Sequence, residues 1–139
     1  MNILFDASAM FKRYSGEAGV DRVLRLQASA SAVTAAVHCK TEVASALTRQ
    51  WREGAFSNEE YERVLADIHA DFDELSVVPL SRQAERYAIA AMRLATLCGM
   101  DALHIGTAQA ARVDLFVTAD RRQAAAAQAV GLKTELIEV

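Results

Sequence analysis

Four carboxylates stand at points where folding could gather them. Asp6 closes an apolar run at residues 2–5, and Asp120 follows a second run, Phe116-Val117-Thr118-Ala119. Asp101 begins a helical stretch just before that second run, and Glu42 lies in the first turns of a long helical stretch. Clustered carboxylates repel, and an unrelieved cluster raises some of their pKa values. A hard divalent cation such as magnesium or manganese relieves the conflict, because it takes oxygen ligands and often keeps several waters. The open positions can hold a phosphate oxygen and a water made more acidic by the metal. An acidic protein could cleave an acidic polymer in this way. Each residue also has a plainer role: Asp6, Asp101 and Asp120 stand where aspartate caps helices, and a lone helix glutamate is usually solvated.

Bringing the four together requires strands that end at one edge. Residues 2–5, 31–34, 75–80, 115–118 and 134–139 read as strands. Helical spacing of apolar residues fills the intervals 17–28, 36–53, a stretch opening at Ser57 and carrying Tyr61 to Leu75, 81–98, 101–112 and 121–130. Ser57-Asn58-Glu59-Glu60 has the form of a capping box. Gly54 and Gly131 stand where left-handed caps end helices, and Gly99 is read as the stop of the helix before it. Strands separated by helices predict an α/β fold with a parallel sheet covered on both faces. In such sheets the ligand site lies beyond the C-terminal strand ends, near the switch in strand order.

The 139 residues show no repeat or linker and a single proline, Pro79, so one domain over 1–139 is expected. Hydrophobic residues make up 53%, and 28 residues are alanine, a composition that suits closely packed helices. The formal charge of −3 excludes a broad basic surface for nucleic acid, so positive charge for a phosphate must come from a local patch or a metal. Lys12, Arg13, Lys40, Arg121 and Arg122 lie near the acidic motifs and form either such a basic rim or a solvated surface of mixed charge. No apolar run approaches the roughly 20 residues that span a bilayer, so no membrane role is expected. The start MNILFDAS lacks the features of a signal peptide. Cys39 and Cys98 fit no zinc spacing and read as reduced, buried, small apolar groups of a cytoplasmic protein. His104 stands one turn after Asp101 and His38 one turn before Glu42, and both read as packed, hydrogen-bonded histidines rather than ligands. His69 reads as a surface residue. Trp51, Phe56 and Tyr61 bracket a helix–helix turn and read as hairpin core, or as a groove for a partner's helix.

Ile3-Leu4-Phe5-Asp6-Ala7-Ser8-Ala9-Met10, Thr41-Glu42-Val43-Ala44-Ser45-Ala46-Leu47, Asp101-Ala102-Leu103-His104 and Val117-Thr118-Ala119-Asp120-Arg121, in this order, resemble the PIN-domain family. The chain is most similar to its small single-domain members, the VapC-type ribonuclease toxins of bacterial toxin–antitoxin pairs. The resemblance implies an α/β/α sandwich with a five-stranded parallel sheet and RNA cleavage dependent on magnesium or manganese. Asp6, Glu42, Asp101 and Asp120 would be the acidic tetrad. Asp6, Asp101 and Asp120 would bind metal directly, while Glu42 would bind through water or orient the attacking water. Ser8 and Thr118 match supporting hydroxyl positions, which backbone capping would also explain. A cognate antitoxin and a homodimer are implied as partners. One departure follows Asp120: many relatives place an aromatic or large apolar residue where this chain has Arg122-Gln123-Ala124.

Two other functions compete. A phosphoaspartyl enzyme could use Asp6 as nucleophile. Phosphatases of that kind carry a second Asp two residues on, where this chain has Ser8, and the paired early acids and late lysine of receiver domains are missing. A non-catalytic PIN-like module would bind RNA or protein, but it has no need of four mutually repelling carboxylates.

Overall fold

Consecutive residues of the strands are buried, which requires layers on both faces of the sheet. In β1 (Asn2–Phe5), Ile3, Leu4 and Phe5 are all fully buried. Successive strand side chains point to opposite faces, so Ile3 and Phe5 face one layer and Leu4 the other. The same holds for β4 (Leu115–Thr118), where Leu115 and Val117 oppose Phe116. The computed structural model describes residues 1–138. Between these two strands the chain forms α1 (Ala7–Ser15), α2 (Val20–Ser29), β2 (Ala32–Ala36), α3 (Cys39–Arg52), α4 (Asn58–Asp73), β3 (Ser76–Val78), α5 (Arg82–Leu94) and α6 (Gly99–Ala111). It ends with α7 (Arg121–Ala129) and β5 (Thr134–Leu136).

All strand pairs are parallel, in the order β3-β2-β1-β4-β5. The first three strands build outward from β1 in one direction, and β4 and β5 build in the other. The switch therefore falls between β1 and β4. Helices α1 to α4 cover the face of Ile3, Phe5 and Val117 with Met10, Val23, Leu26, Val43, Leu47, Ile68 and Phe72. Helices α5 to α7 cover Leu4 and Phe116 with Ala91, Ile105, Ala108, Ala126 and Ala127. Alanine supplies most of that second layer. The expected α/β/α sandwich with five parallel strands is the observed architecture.

Alanine also permits the closest helix pair. Gly106 of α6 lies so near α5 that a Cβ there would stand 2.2 Å from the carbonyl oxygen of Ala84 and 2.8 Å from the amide nitrogen of Ala88. Ser81 caps α5 by accepting from the Ala84 amide at 3.0 Å, and the Ser57–Glu60 capping box opens α4 as expected. Gly54, at φ 87°, takes the left-handed conformation just past α3.

Several boundaries differ from the sequence reading. Helix α1 was not expected, because only nine residues separate the cap Asp6 from Gly16 and carry little periodicity. The stretch 36–53 begins as strand, since Ala35 and Ala36 pair with β3, and the helix starts at Cys39. The helix read as 81–98 stops at Leu94, and Gly99 opens α6 instead of ending α5. The apolar stripe runs on through Ala95 and Cys98, but extended backbone at both residues turns the chain back onto α5. Edge strand β3 has three residues instead of six. Thr134–Leu136 forms β5, and Val139 of the expected strand lies outside the described residues.

Cys39 is buried as expected, but Cys98 is exposed, because it caps α6 at the surface. Burial pushes the Cys39 thiol well above its ordinary pKa, with the charges of Asp6 and Glu42 acting the same way. Thiolate is the reactive form. A maleimide reagent at neutral pH should thus modify only Cys98 in the folded protein, and both cysteines in denaturant. Mass spectrometry of the labelled protein checks this; rapid native labelling of Cys39 would contradict its burial.

Candidate active site

Asp6 leaves the end of β1 and is 2% exposed. Its Oδ1 accepts from the Ser8 hydroxyl at 2.7 Å and the Ala9 amide at 2.9 Å, and its Oδ2 from Thr118 Oγ1 at 2.5 Å and Gln123 Nε2 at 3.2 Å. The residue is thus a helix cap and a site carboxylate at once. Ser8 and Thr118 act as a latch between the two strand ends. Ser8 Oγ accepts from the Ala119 amide at 2.9 Å, and Thr118 Oγ1 accepts from the Asp120 amide at 3.0 Å. Both hydroxyls donate to Asp6 while holding the turn after β4. Burial pushes the Asp6 carboxyl above the usual carboxylate range; the charge of His104 and the hydrogen bonds from Thr118, Ala9 and Ser8 pull the other way without cancelling it.

Asp120 caps α7, its Oδ1 accepting from the Arg122 amide at 2.8 Å and the Gln123 amide at 3.3 Å. Asp101 lies in the first turn of α6, whose cap position is Cys98, so Asp101 is not the cap considered for it, and no side chain caps this helix. Glu42 lies in the first turn of α3 and meets two histidines. His104 Nε2 is 2.5 Å from Glu42 Oε1, and His38 Nε2 is 3.3 Å from the same oxygen. Burial pushes the Glu42 carboxyl up, but the His104 hydrogen bond and the charges of both histidines outweigh it and hold the carboxyl below its ordinary value. Burial and the charge of His104 push the His38 imidazole down. His104 is the packed, hydrogen-bonded histidine expected of it.

One open cleft of about 480 Å³ is lined by Asp6, Glu42, Asp101 and Asp120 together. Ser8 and Lys12 share its wall, with Lys12 Nζ 3.2 Å from Glu17 Oε2. The other basic candidates are not among the lining residues. Arg13 turns to α2 and α4, where it donates to Gln27 at 2.8 Å and stands 3.2 Å from Asp71. Arg121 stands 3.6 Å from Glu138. Arg122 is exposed and Lys40 half-buried. Arg13 is thus held by Asp71 and Gln27 outside the cleft, because the helix turns it about 100° from Lys12.

The structure adds three residues to the site. Arg49 lines the cleft two turns beyond Glu42, a spacing that the helix period would have revealed. Glu17 joins it through Lys12. Gln123 is 1% exposed and donates to Asp6. Trp51 and Tyr61 stack with ring centroids 4.8 Å apart, as hairpin core would.

Residues 3–129 match the PIN domain family, and the chain belongs to it. It is a family of nucleases. Solved structures share the fold. VapBC2 from Rickettsia felis, bound to a DNA fragment from its promoter, superposes with a TM-score of 0.70 at 13% identity, covering 98% of both chains. DNA-bound VapBC from Salmonella typhimurium gives 0.69 at 16% identity, with 97% of each chain covered. VapC20 of Mycobacterium tuberculosis, a toxin that cleaves the sarcin–ricin loop, gives 0.67 at 18% identity, covering 89% of this chain and 94% of its own. No curated protein matches the chain in sequence.

Proposed function

We propose that the chain is a metal-dependent endoribonuclease and the toxin of a toxin–antitoxin pair, acting in the cytoplasm. The observation that carries this reading is the gathering of Asp6, Glu42, Asp101 and Asp120 around one cleft at the strand-order switch. Five carboxylates line that cleft against two fixed cations, Lys12 and Arg49. Such an excess of oxygen donors fits a hard divalent ion. Asp6, Asp101 and Asp120 would hold magnesium or manganese, which supplies a Lewis acid and a more acidic water when bound. Glu42 orients the attacking water and accepts its proton, aimed by the histidine contact at Oε1. Ser8, Thr118 and Gln123 hold the Asp6 carboxylate in one orientation. Lys12 and Arg49 draw the RNA backbone towards the acids. Water adds to phosphorus as the bond to the 3′ oxygen breaks, leaving a 5′-phosphate and a 3′-hydroxyl.

The antitoxin reading rests on neighbours solved as toxin–antitoxin complexes. A homodimer would cover the exposed Ile89, Met92, Leu94 and Met100 of the α5–α6 side. No helix among the described residues is long and apolar enough to cross a membrane.

Incubating the protein with a mixed RNA pool tests the function. Cleavage is expected with magnesium or manganese, none with chelator, and none by folded Asp120→Asn. A folded wild type that neither cleaves RNA nor binds metal in calorimetry would overturn the reading in favour of a non-catalytic binding module.

A further inference from the structure

His38 and His104 converge on one oxygen of Glu42 from two different helices. Their ring centroids are 4.2 Å apart with planes at 40°, and one ligand atom from each of His38, Glu42 and His104 lies within 4.8 Å of the others. His38 Nε2 also donates to the Met100 carbonyl oxygen at 2.9 Å, a contact that ion binding would replace. Two imidazole nitrogens and a carboxylate oxygen form the donor set of borderline divalent ions such as zinc, whereas magnesium favours oxygen alone. The frame is rigid, since His38 and Glu42 are one turn apart at the start of α3, and His104 is 1% exposed within α6. His104 Nδ1 is buried without a hydrogen-bond partner. In the ion-free protein Nε2 carries the proton that it donates to Glu42, so ion binding requires that proton to leave or to move to Nδ1.

Distances bear on the fit. Zinc bonds nitrogen and oxygen at about 2.0–2.1 Å, which puts tetrahedral donors about 3.3 Å apart. The His38–Glu42 separation is already 3.3 Å. The His104–Glu42 separation of 2.5 Å must open by less than about 1 Å, within the reach of rotation of the half-exposed Glu42 side chain. Three protein ligands leave a fourth position for water, and an ion held by three ligands exchanges with solvent.

We propose that His38, Glu42 and His104 bind one divalent ion of the zinc class, and that filling this site inhibits the ribonuclease by withdrawing Glu42 from the attacking water. The inhibitory half rests on the function proposed above; the binding half does not. The same two imidazoles that aim Glu42 in the active protein become its co-ligands in the inhibited one.

Cobalt(II) absorption and competition with a chromophoric zinc chelator read the binding half directly, at neutral pH and without RNA. Wild type should take up an ion with the visible bands of a nitrogen-ligated, low-coordinate site. His38→Gln and His104→Gln should each weaken uptake at least tenfold, while Asp120→Asn retains it. Nitrogen-ligated bands that survive in both histidine variants, or that disappear in Asp120→Asn, would overturn the proposal, whereas oxygen-ligated cobalt in the carboxylate cleft gives only weak bands. If His104→Gln fails to fold by circular dichroism, the half-buried His38→Gln decides alone. For inhibition, zinc is titrated into the magnesium-supported RNA assay. The half-inhibiting concentration should rise at least tenfold in His38→Gln relative to wild type. An unchanged value would overturn the inhibitory role. Failure of wild type to cleave RNA at all would strike the proposed function, and the cobalt spectrum would still judge the site.

Discussion

Asp6→Asn is expected to abolish RNA cleavage while leaving the fold intact. The side chain keeps its size, so Oδ1 still accepts from the Ser8 hydroxyl and the Ala9 amide. The new amide group replaces Oδ2, which faces Thr118 Oγ1 and Gln123 Nε2. Thr118 can rotate its hydroxyl to accept. Gln123 can flip its amide, because its Oε1 is buried without a partner and turns to accept the new N–H. The hydrogen bonds survive in reversed polarity, and what is lost is the charge. Under the proposed function, losing the Asp6 carboxylate should lower kcat/KM at least about a thousandfold. Stability separates this from unfolding. A carboxyl whose folded pKa is raised costs stability at pH values above its unfolded pKa, so at neutral pH without metal the asparagine variant should melt at or above the wild-type temperature. Magnesium should then raise the melting temperature of wild type only. Cleavage within tenfold of wild type would remove Asp6 from the mechanism.

Gly106→Ala should be among the most destabilising single-methyl additions in the chain. In a helix interior this change ordinarily stabilises by about 1 kcal/mol. Here the added Cβ would meet the Ala84 carbonyl at 2.2 Å and the Ala88 amide nitrogen at 2.8 Å. Both are backbone atoms of α5, so relief requires moving a whole helix. Overpacking of this kind costs about 3 kcal/mol or more, enough to reverse the propensity gain and lower the melting temperature by about 10 °C. The damage reaches the site, since α6 also carries Asp101 and His104. Calorimetry of the variant, beside Gly99→Ala where a Cβ meets open space, decides the matter. A melting temperature equal to that of the Gly99 control would show that α5 and α6 are not locked together at this point.

What was legible in the sequence follows from how local the signal is. Asp6 and Asp120 could be found because each follows a short apolar run, and burial of strands on both faces leaves that mark. Glu42 and Asp101 carried only helix positions, and their place beside the other two depended on the order of strands. Helix α1 escaped because it is short and its buried residues, Ala9 and Met10, are adjacent and show no period. Gln123 escaped for a different reason. Its polar side chain gave no apolar signal, and its contact with Asp6 spans 117 positions. Arg13 and Lys12 are neighbours in sequence, yet one faces Asp71 and the other the cleft, a split that only the helix period of an unrecognised element could have revealed.

The latch between Ser8, Thr118 and Asp6 joins positions 112 residues apart. β1 lies at the centre of the sheet and pairs with both β2 and β4, so its second edge stays open until β4 emerges. On the ribosome, where synthesis proceeds at about 5–20 residues per second, Asp6 therefore spends several seconds without the threonine that holds it. The four acids come into register only once β4 and the Asp120 that follows it have emerged. Under the proposed function, a nascent fragment ending before β4 carries Asp6 and Glu42 without Asp120 and has no complete cutting edge for the RNA that encodes it.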